Sequence, residues 1–382
     1  MAQELYYDYI ILGAGLSGLC LALKLTEDPF FKDKKILLLD KQEKTKNDRT
    51  WCFWHRGKSP WDAIISKKWP KIGFKSPDFE AEIPISPYVY NKIKGSDFYD
   101  HCFERLQKSG QVTFKVEAFL DFNETATGVE VRTETQNYST AKLFNSILPP
   151  EILKDQKKNI VLNQHFIGWF IHTEKPVFDP ETAIFMDFSI PQGGNTRFMY
   201  VLPTSPTEAL VEYTLFSEEL LPTESYENGI KNYLKEHKID EYSITEKERG
   251  CIPMTVFPFE KRNSKNVANI GTAGGWTRAS TGFTFSYTQK RISELVNFLK
   301  ENDDLRNWKI SDRYRWYDRL FLDVLYRKNG QGSLIFEAMF KNNPPDRIFR
   351  FLDGESSLDE DLKIIWSLPK KEFIKAFFKT LF

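Results

Sequence analysis

Tyr6 to Leu12 is a near-continuous apolar run, the pattern of a strand covered on both faces. Gly13-Ala14-Gly15-Leu16-Ser17-Gly18 then opens a helical pattern through Leu19 to Leu25, and Lys35 to Asp40 reads as a second strand, completing a βαβ unit. Val112 to Val116 predicts a further parallel strand. Phe119 to Thr133 and Ala141 to Ile147 predict short β segments parted by polar turns. From Pro149 to Lys247 the strands lengthen and become rich in Phe, Tyr and Val, and Pro203-Thr204-Ser205-Pro206 joins two of them as a hairpin. Val267 to Ile270 returns to a short buried strand. Gly271-Thr272-Ala273-Gly274-Gly275 follows, with a helix predicted from about Thr281 to Lys300, and residues 301–382 read as helical.

These elements predict an α/β fold: a Rossmann-like FAD-binding domain with a parallel sheet, an inserted mixed β-sheet substrate domain, and a C-terminal helical region. The FAD-binding domain is expected to be discontinuous, built from 1–75, 95–148 and 248–300. The substrate domain takes 76–94 and 149–247, and the helical region 301–382.

Gly13, Gly15 and Gly18 suit a tight turn, close approach of a pyrophosphate to backbone N–H groups, and close helix–strand packing. Ala14 and Ser17 sit within that turn, and Asp40 at the end of the second strand is placed to hold ribose hydroxyls. The plainer reading is a structural glycine turn with a solvated Asp40. The second cluster, Gly271, Thr272, Ala273, Gly274 and Gly275, leans towards FAD over NAD, because an NAD domain has no use for another such turn so late in the chain. Thr281 and Gly282 are expected in the first turn of the next helix, where free N–H groups favour the pyrimidine side of an anionic reduced flavin. A helix cap with packing glycines is the alternative.

Composition narrows the function further. Lys plus Arg and Asp plus Glu both number 53, so net charge is zero and no nucleic-acid partner is expected. The 4 cysteines lack Cys-x-x-Cys spacing, and His55, His165 and His172 lack metal spacing, so no metal is expected and a reducing, cytoplasmic setting fits. Met1 to Glu4 leads straight into a strand without a basic signal region, and no apolar run is long enough to span a bilayer. Aromatic residues make up 15% of the chain, more than an ordinary core requires, which leaves room for an apolar ligand.

Asp48-Arg49-Thr50-Trp51-Cys52-Phe53-Trp54-His55 resembles the aromatic segment that follows the second strand in bacterial lycopene cyclases. Phe198 to Pro203 with Glu208 to Thr214 looks like the hairpin carrying that family's acidic motif. Ile252-Pro253-Met254 and the 271–283 segment complete the set, in the same order, from residue 8 to about residue 370. Ala279, Phe283 and Tyr213 depart from the family pattern, and Tyr213 removes the second acid of the motif, leaving Glu212 at the position of the catalytic glutamate. The resemblance implies a lycopene beta-cyclase, an intramolecular lyase that closes the ends of lycopene, or a related acyclic carotenoid, into β rings. It implies reduced FAD as the active cofactor and NAD(P)H as reductant.

Strand alternation puts Leu210, Glu212 and Thr214 on one face and Val211, Tyr213 and Leu215 on the other. A carboxyl group among apolar neighbours keeps its proton at neutral pH, as an acid for an alkene must. A strand carboxylate paired with Arg or Lys is the rival. Trp51, Phe53 and Trp54 are candidates for the polyene channel or for core packing. Phe373, Ile374, Phe377, Phe378, Leu381 and Phe382 share a helical face flanked by Lys370, Lys371, Lys375 and Lys379, which predicts either peripheral attachment to the inner face of the cytoplasmic membrane or packing on the core. Two other functions fit the scaffold: a redox flavoenzyme of the monooxygenase or geranylgeranyl reductase kind, and a non-catalytic carotenoid carrier.

Overall fold

The computed structural model describes residues 5–154, 159–310 and 313–381; Met1 to Glu4, Phe382 and the side chain of Leu381 lie outside what is described. The chain opens with β1 (Leu5–Leu12), α1 (Leu16–Glu27) and β2 (Ile36–Asp40), the expected βαβ unit. β3 (Thr50–Arg56), β4 (Lys67–Trp69), β5 (Lys71–Ser76), β6 (Phe79–Pro84) and β7 (Tyr88–Lys94) follow. Then come α2 (Gly95–Ser109), β8 (Val112–Val116), β9 (Phe119–Glu124), β10 (Val129–Thr133), β11 (Asn137–Asn145) and the short α3 (Glu151–Lys154). The long strands are β12 (Val161–Thr173), β13 (Thr182–Asp187), β14 (Arg197–Ser205) and β15 (Glu208–Ser217). α4 (Thr223–Glu236), β16 (Tyr242–Thr255), β17 (Val267–Asn269) and α5 (Phe285–Glu301) lead to the helical end. That end comprises α6 (Tyr314–Arg327), α7 (Gly332–Asn342), α8 (Pro345–Leu352), α9 (Leu358–Ser367) and α10 (Lys370–Leu381).

The first sheet runs β8-β2-β1-β11-β10-β9. β8, β2, β1 and β11 are parallel, and the last three residues of β11 pair in parallel with β17. Ile10, Ile11, Leu12 and Ile36 to Leu39 are buried, because helices cover one face and the β9–β10 side of the sheet the other. The distant 267–269 segment thus closes the nucleotide-type sheet, as its apolar run predicts.

The second sheet runs β16-β12-β15-β14-β13-β5-β6, and β3-β7-β4 form a small third sheet. Two sequence boundaries shift. Residues 71–75 and 248–255, expected with the nucleotide domain, belong to the second sheet, and β3 pairs with β7 across the boundary expected near residue 76. Turn residues mark where strands end, but the partner of a strand is set by long-range burial.

A third difference lies near the glycine cluster. The helix expected from Thr281 begins at Phe285. Gly282 takes φ +74°, and its N–H and that of Thr281 both donate to the Arg278 carbonyl, closing a loop that keeps Thr281 and Gly282 out of the helical turn.

Candidate active site

The first glycine turn is a tight cradle. Gly13 has φ +93°, and a Cβ there would lie 2.2 Å from Ser146 Oγ, while one on Gly18 would lie 1.9 Å from the Gly13 carbonyl oxygen. Gly15 faces open space, and α1 starts at it with no side-chain cap and no acidic residue in its first turn. The orphan N–H groups of that turn therefore fit an anionic pyrophosphate. Asp40 accepts hydrogen bonds from the Ala14 N–H at 2.8 Å and the Gln42 N–H at 2.9 Å, with Lys44 Nζ 3.4 Å away, so the carboxylate holds the glycine turn in place. The second cluster meets the first: Gly271 has φ +57°, and a Cβ on it would lie 2.3 Å from Ser17 Oγ. Thr272, Ala273 and Gly274 form a 3-10 turn that ends at Gly275 in a left-handed conformation. Buried Thr281 keeps a hydroxyl with no hydrogen-bond partner among the described residues. The residues present fit a dinucleotide laid along both clusters.

Beyond Thr281 lies a cavity of about 160 Å³ containing Glu212. Glu212 stands on β15 directly opposite Gly168 of β12, and Gly168 stands opposite Glu248 of β16 on its other side. All three positions face the same way. Because Gly168 has no side chain, the two carboxyl groups meet across it in a shared hydrogen bond. A Cβ at Gly168 would lie 3.4 Å from Glu212 Cβ, 3.2 Å from Glu248 Cγ and 2.8 Å from Leu210 Cδ1.

Burial pushes the Glu212 carboxyl well above its ordinary range, and the neighbouring Glu248 charge pushes it further. Burial raises Glu248 too, but there the Thr50 and Glu212 hydrogen bonds and the Lys92 charge pull the other way. Burial thus favours the neutral form at both carboxyls, and the Lys92 charge opposes it only at Glu248. Thr214 Oγ1 donates to Glu212 at 2.5 Å, and Thr50 Oγ1 donates to Glu248 at 2.7 Å, fixing both rotamers. Lys92 is 2% exposed with its ammonium 4.8 Å from the Phe170 ring, and burial lowers its pKa. On the other flank of Glu212, Tyr200 lies opposite it on β14 and joins Tyr90 through a 2.5 Å hydroxyl contact.

Trp51, Phe166, Phe185, Phe198, Phe283 and Phe285 supply aromatic wall, and Asp48, Arg49, Gln164 and Arg249 add polar and charged groups to the lining. Of the three aromatic candidates on β3, Trp51 lines the cavity. Phe53 stands behind it, stacked on Phe285 at 4.4 Å, and Trp54 lies edge-on to Phe283 at 4.7 Å while its indole N–H donates to Asp353 at 2.5 Å. Phe53 and Trp54 thus buttress the wall. His165 is buried between Ser217 and Tyr226 hydroxyls and pushed down to about 4 by burial, so it is a neutral structural histidine.

Glu248, Lys92 and Thr50 escaped the sequence reading. β16 is an edge strand with polar residues at most positions, so no alternation set Glu248 apart. The available signal was Gly168, a glycine amid bulky strand residues, which marks close approach of side chains from neighbouring strands.

The chain matches the lycopene cyclase protein family model over residues 8–378. It is 25% identical to a lycopene beta-cyclase of Pantoea ananas, over 97% of each chain. It is 23% identical to a lycopene beta-cyclase of Paracoccus sp., over 95% of this chain and 94% of the other. In fold it is similar to a geranylgeranyl bacteriochlorophyll reductase-like protein of Thermoplasma acidophilum, with TM-score 0.62, 12% identity and coverage of 97% and 98%. A flavin-dependent brominase gives TM-score 0.63 at 13% identity, covering 98% of this chain and all of the other. With the family match running through the glycine turns, the Glu212 strand and the C-terminal helices alike, this chain belongs to the lycopene cyclase protein family.

Proposed function

We propose that this protein is a lycopene beta-cyclase that closes acyclic carotenoid ends into β rings by proton-initiated, redox-neutral chemistry. The observation that carries this reading is the buried Glu212, lining a cavity with several aromatic walls and set beside Glu248 across Gly168, where burial favours its protonated form. Glu212 gives its proton to the terminal double bond. The neighbouring double bond attacks the resulting cationic carbon, and loss of a ring proton forms the ring olefin. One proton enters and one leaves, so the product is an isomer.

An alkene is a very poor base, which is why the acid must be desolvated and its surroundings already in place. Once Glu212 has donated, two buried carboxylates stand side by side. That arrangement is costly, so Glu212 is the natural acceptor for the departing ring proton. Phe166, Phe185, Phe198 and Trp51 line the same cavity, and each ring face turned to the cation would be worth on the order of 0.5 to 2 kcal/mol. Tyr90 and Tyr200, kept neutral by burial, add no competing charge.

Gly13, Ala14, Gly15, Ser17, Gly18 and Asp40, with Gly271 to Gly275, would hold FAD, a reading supported by the cradle geometry and by the flavin-dependent brominase of like fold. When bound in its reduced form, FAD supplies negative charge beside the cation. NAD(P)H is the proposed reductant. Ile374, Phe377 and Phe378 of α10 remain exposed among lysines, which supports peripheral attachment to the inner face of the cytoplasmic membrane. Among the described residues no helix is long and apolar enough to cross a membrane.

Expression in a lycopene-accumulating host tests the activity. Wild-type protein is expected to turn red cells orange, whereas Glu212→Gln leaves them red while still binding flavin. Full conversion by a folded Glu212→Gln protein would refute the assignment of the acid.

A further inference from the structure

The Glu212 cavity measures about 160 Å³, and a cavity of about 150 Å³ takes a single benzene-sized ring. It accommodates the reacting end of a long hydrocarbon and not the rest. A second cavity of about 380 Å³ lies behind the 280–281 segment, among α6, α7 and α9. Thr281 lines both cavities, so one small side chain stands at their junction.

The walls of this second space are almost wholly apolar, with Phe321, Ile335, Phe336, Met339, Phe351 and Ile365 among them. Its outer margin carries Trp316, Leu362, Trp366, Ile374 and Phe377, which are 37%, 64%, 72%, 54% and 39% exposed. Large apolar side chains clustered on a surface mark a contact with something apolar. The same margin carries Lys370, whose ammonium lies 4.5 Å over the Trp366 ring, while nearby Lys363 and Lys375 pair with Asp359 and Glu372; aromatics beside a cation are a pairing suited to a lipid interface.

We propose that this second cavity is a binding site for a linear apolar chain, the sheath for the unreacted arm of the polyene, with its mouth between α9 and α10 opening onto lipid. The substrate then enters end-first from the bilayer and passes Thr281 to reach Glu212. The identity of the reacting end rests on the cyclase reading, whereas the class of ligand rests on the cavity alone.

The test uses the full-length, flavin-loaded protein and diphenylhexatriene, a rigid apolar rod that fluoresces when shielded from water. Saturable binding is expected, with excitation transfer from Trp316 and Trp366. Met339→Trp, which fills the middle of the cavity, and Leu362→Glu, which puts a charge at its mouth, should each weaken binding at least tenfold. Leu362 is exposed, so its replacement decides the matter if Met339→Trp does not fold. Undiminished binding in Leu362→Glu, or no saturable binding by the wild type, overturns the proposal. Probe binding that obeys these variants in a protein inactive on lycopene would sink the cyclase reading and leave the sheath standing, while an active enzyme with variant-insensitive probe binding would do the reverse.

Discussion

A carboxyl group that must protonate a hydrocarbon needs its proton at a pH where an ordinary glutamate has lost it, and two causes combine at Glu212 to achieve this: burial and the adjacent Glu248. Removing a general acid typically costs on the order of 10² to 10⁴-fold in rate, so Glu212→Gln should lose that much, measured as ring formation per bound flavin. Glu248→Gln removes the neighbouring charge but not the burial. The Glu212 pKa then falls, the acid form is lost at a lower pH, and the alkaline limb of the pH–rate profile moves towards acid. An unmoved limb would show that Glu248 does not tune the acid. The stability consequence has the same sign. A group raised in the folded state contributes fully below its unfolded value, near 4.5, and loses that contribution as pH rises through the folded value. Denaturant unfolding of the wild type should therefore weaken above about pH 4.5, and Glu212→Gln should flatten that decline.

The pairing of β15, β12 and β16 turns three residues far apart in sequence into one acidic unit, and Gly168 is its hinge point. Gly168→Ala pushes a methyl between the carboxyl stems and against Leu210. Overpacking of this kind costs about 1–3 kcal/mol, and chemical denaturation should show a loss in that range together with impaired cyclisation. Alteration of neither would mean that the carboxyl pair does not depend on the gap. α10 is divided between two roles. Phe373 and Ala376 pack against Leu320, Val324 and Ile335, and Glu372 and Lys379 pair with Arg327 and Asp323 of α6, while Ile374, Phe377 and Phe378 face outward. Deleting the helix would strip α6, so point changes are the cleaner probe. Phe378→Glu should lower co-sedimentation with anionic vesicles while shifting stability by less than about 0.5 kcal/mol, as exposed substitutions do. Unchanged vesicle binding would leave α10 a purely structural helix.

The two glycine clusters meet at Gly271 and Ser17, the carboxyl pair lines one cavity, and Thr281 lines both that cavity and the apolar second one. On the cyclase reading, a redox-neutral cyclisation needs the cofactor's charge and the acid but no net electron transfer. Reductant should accordingly be consumed only to reduce the flavin once, not with every turnover. A one-to-one ratio of NAD(P)H oxidised to product formed would favour a redox flavoenzyme instead. Turnover in deuterium oxide should place deuterium in the product rings, because the acid proton exchanges with solvent before it is delivered.

Local pattern was enough for much of this. The apolar runs at Tyr6 to Leu12 and Lys35 to Asp40, with the glycines between them, identify a βαβ unit because burial on both faces and a tight phosphate-facing turn leave few other residue choices. That Glu212 shares its face with Leu210 and Thr214 likewise follows from the period of two along its strand, although both faces of that strand are buried. Partnership did not follow. Whether residues 71–76 join the second sheet and whether Glu248 meets Glu212 depend on contacts between segments tens to hundreds of residues apart, while Thr281 is kept out of the helix by a local turn on Arg278, and no short-range periodicity encodes any of these. The chain carries the acid as a local feature, but the burial and the neighbouring Glu248 that favour its protonated form come only from the packing of β12 between β15 and β16.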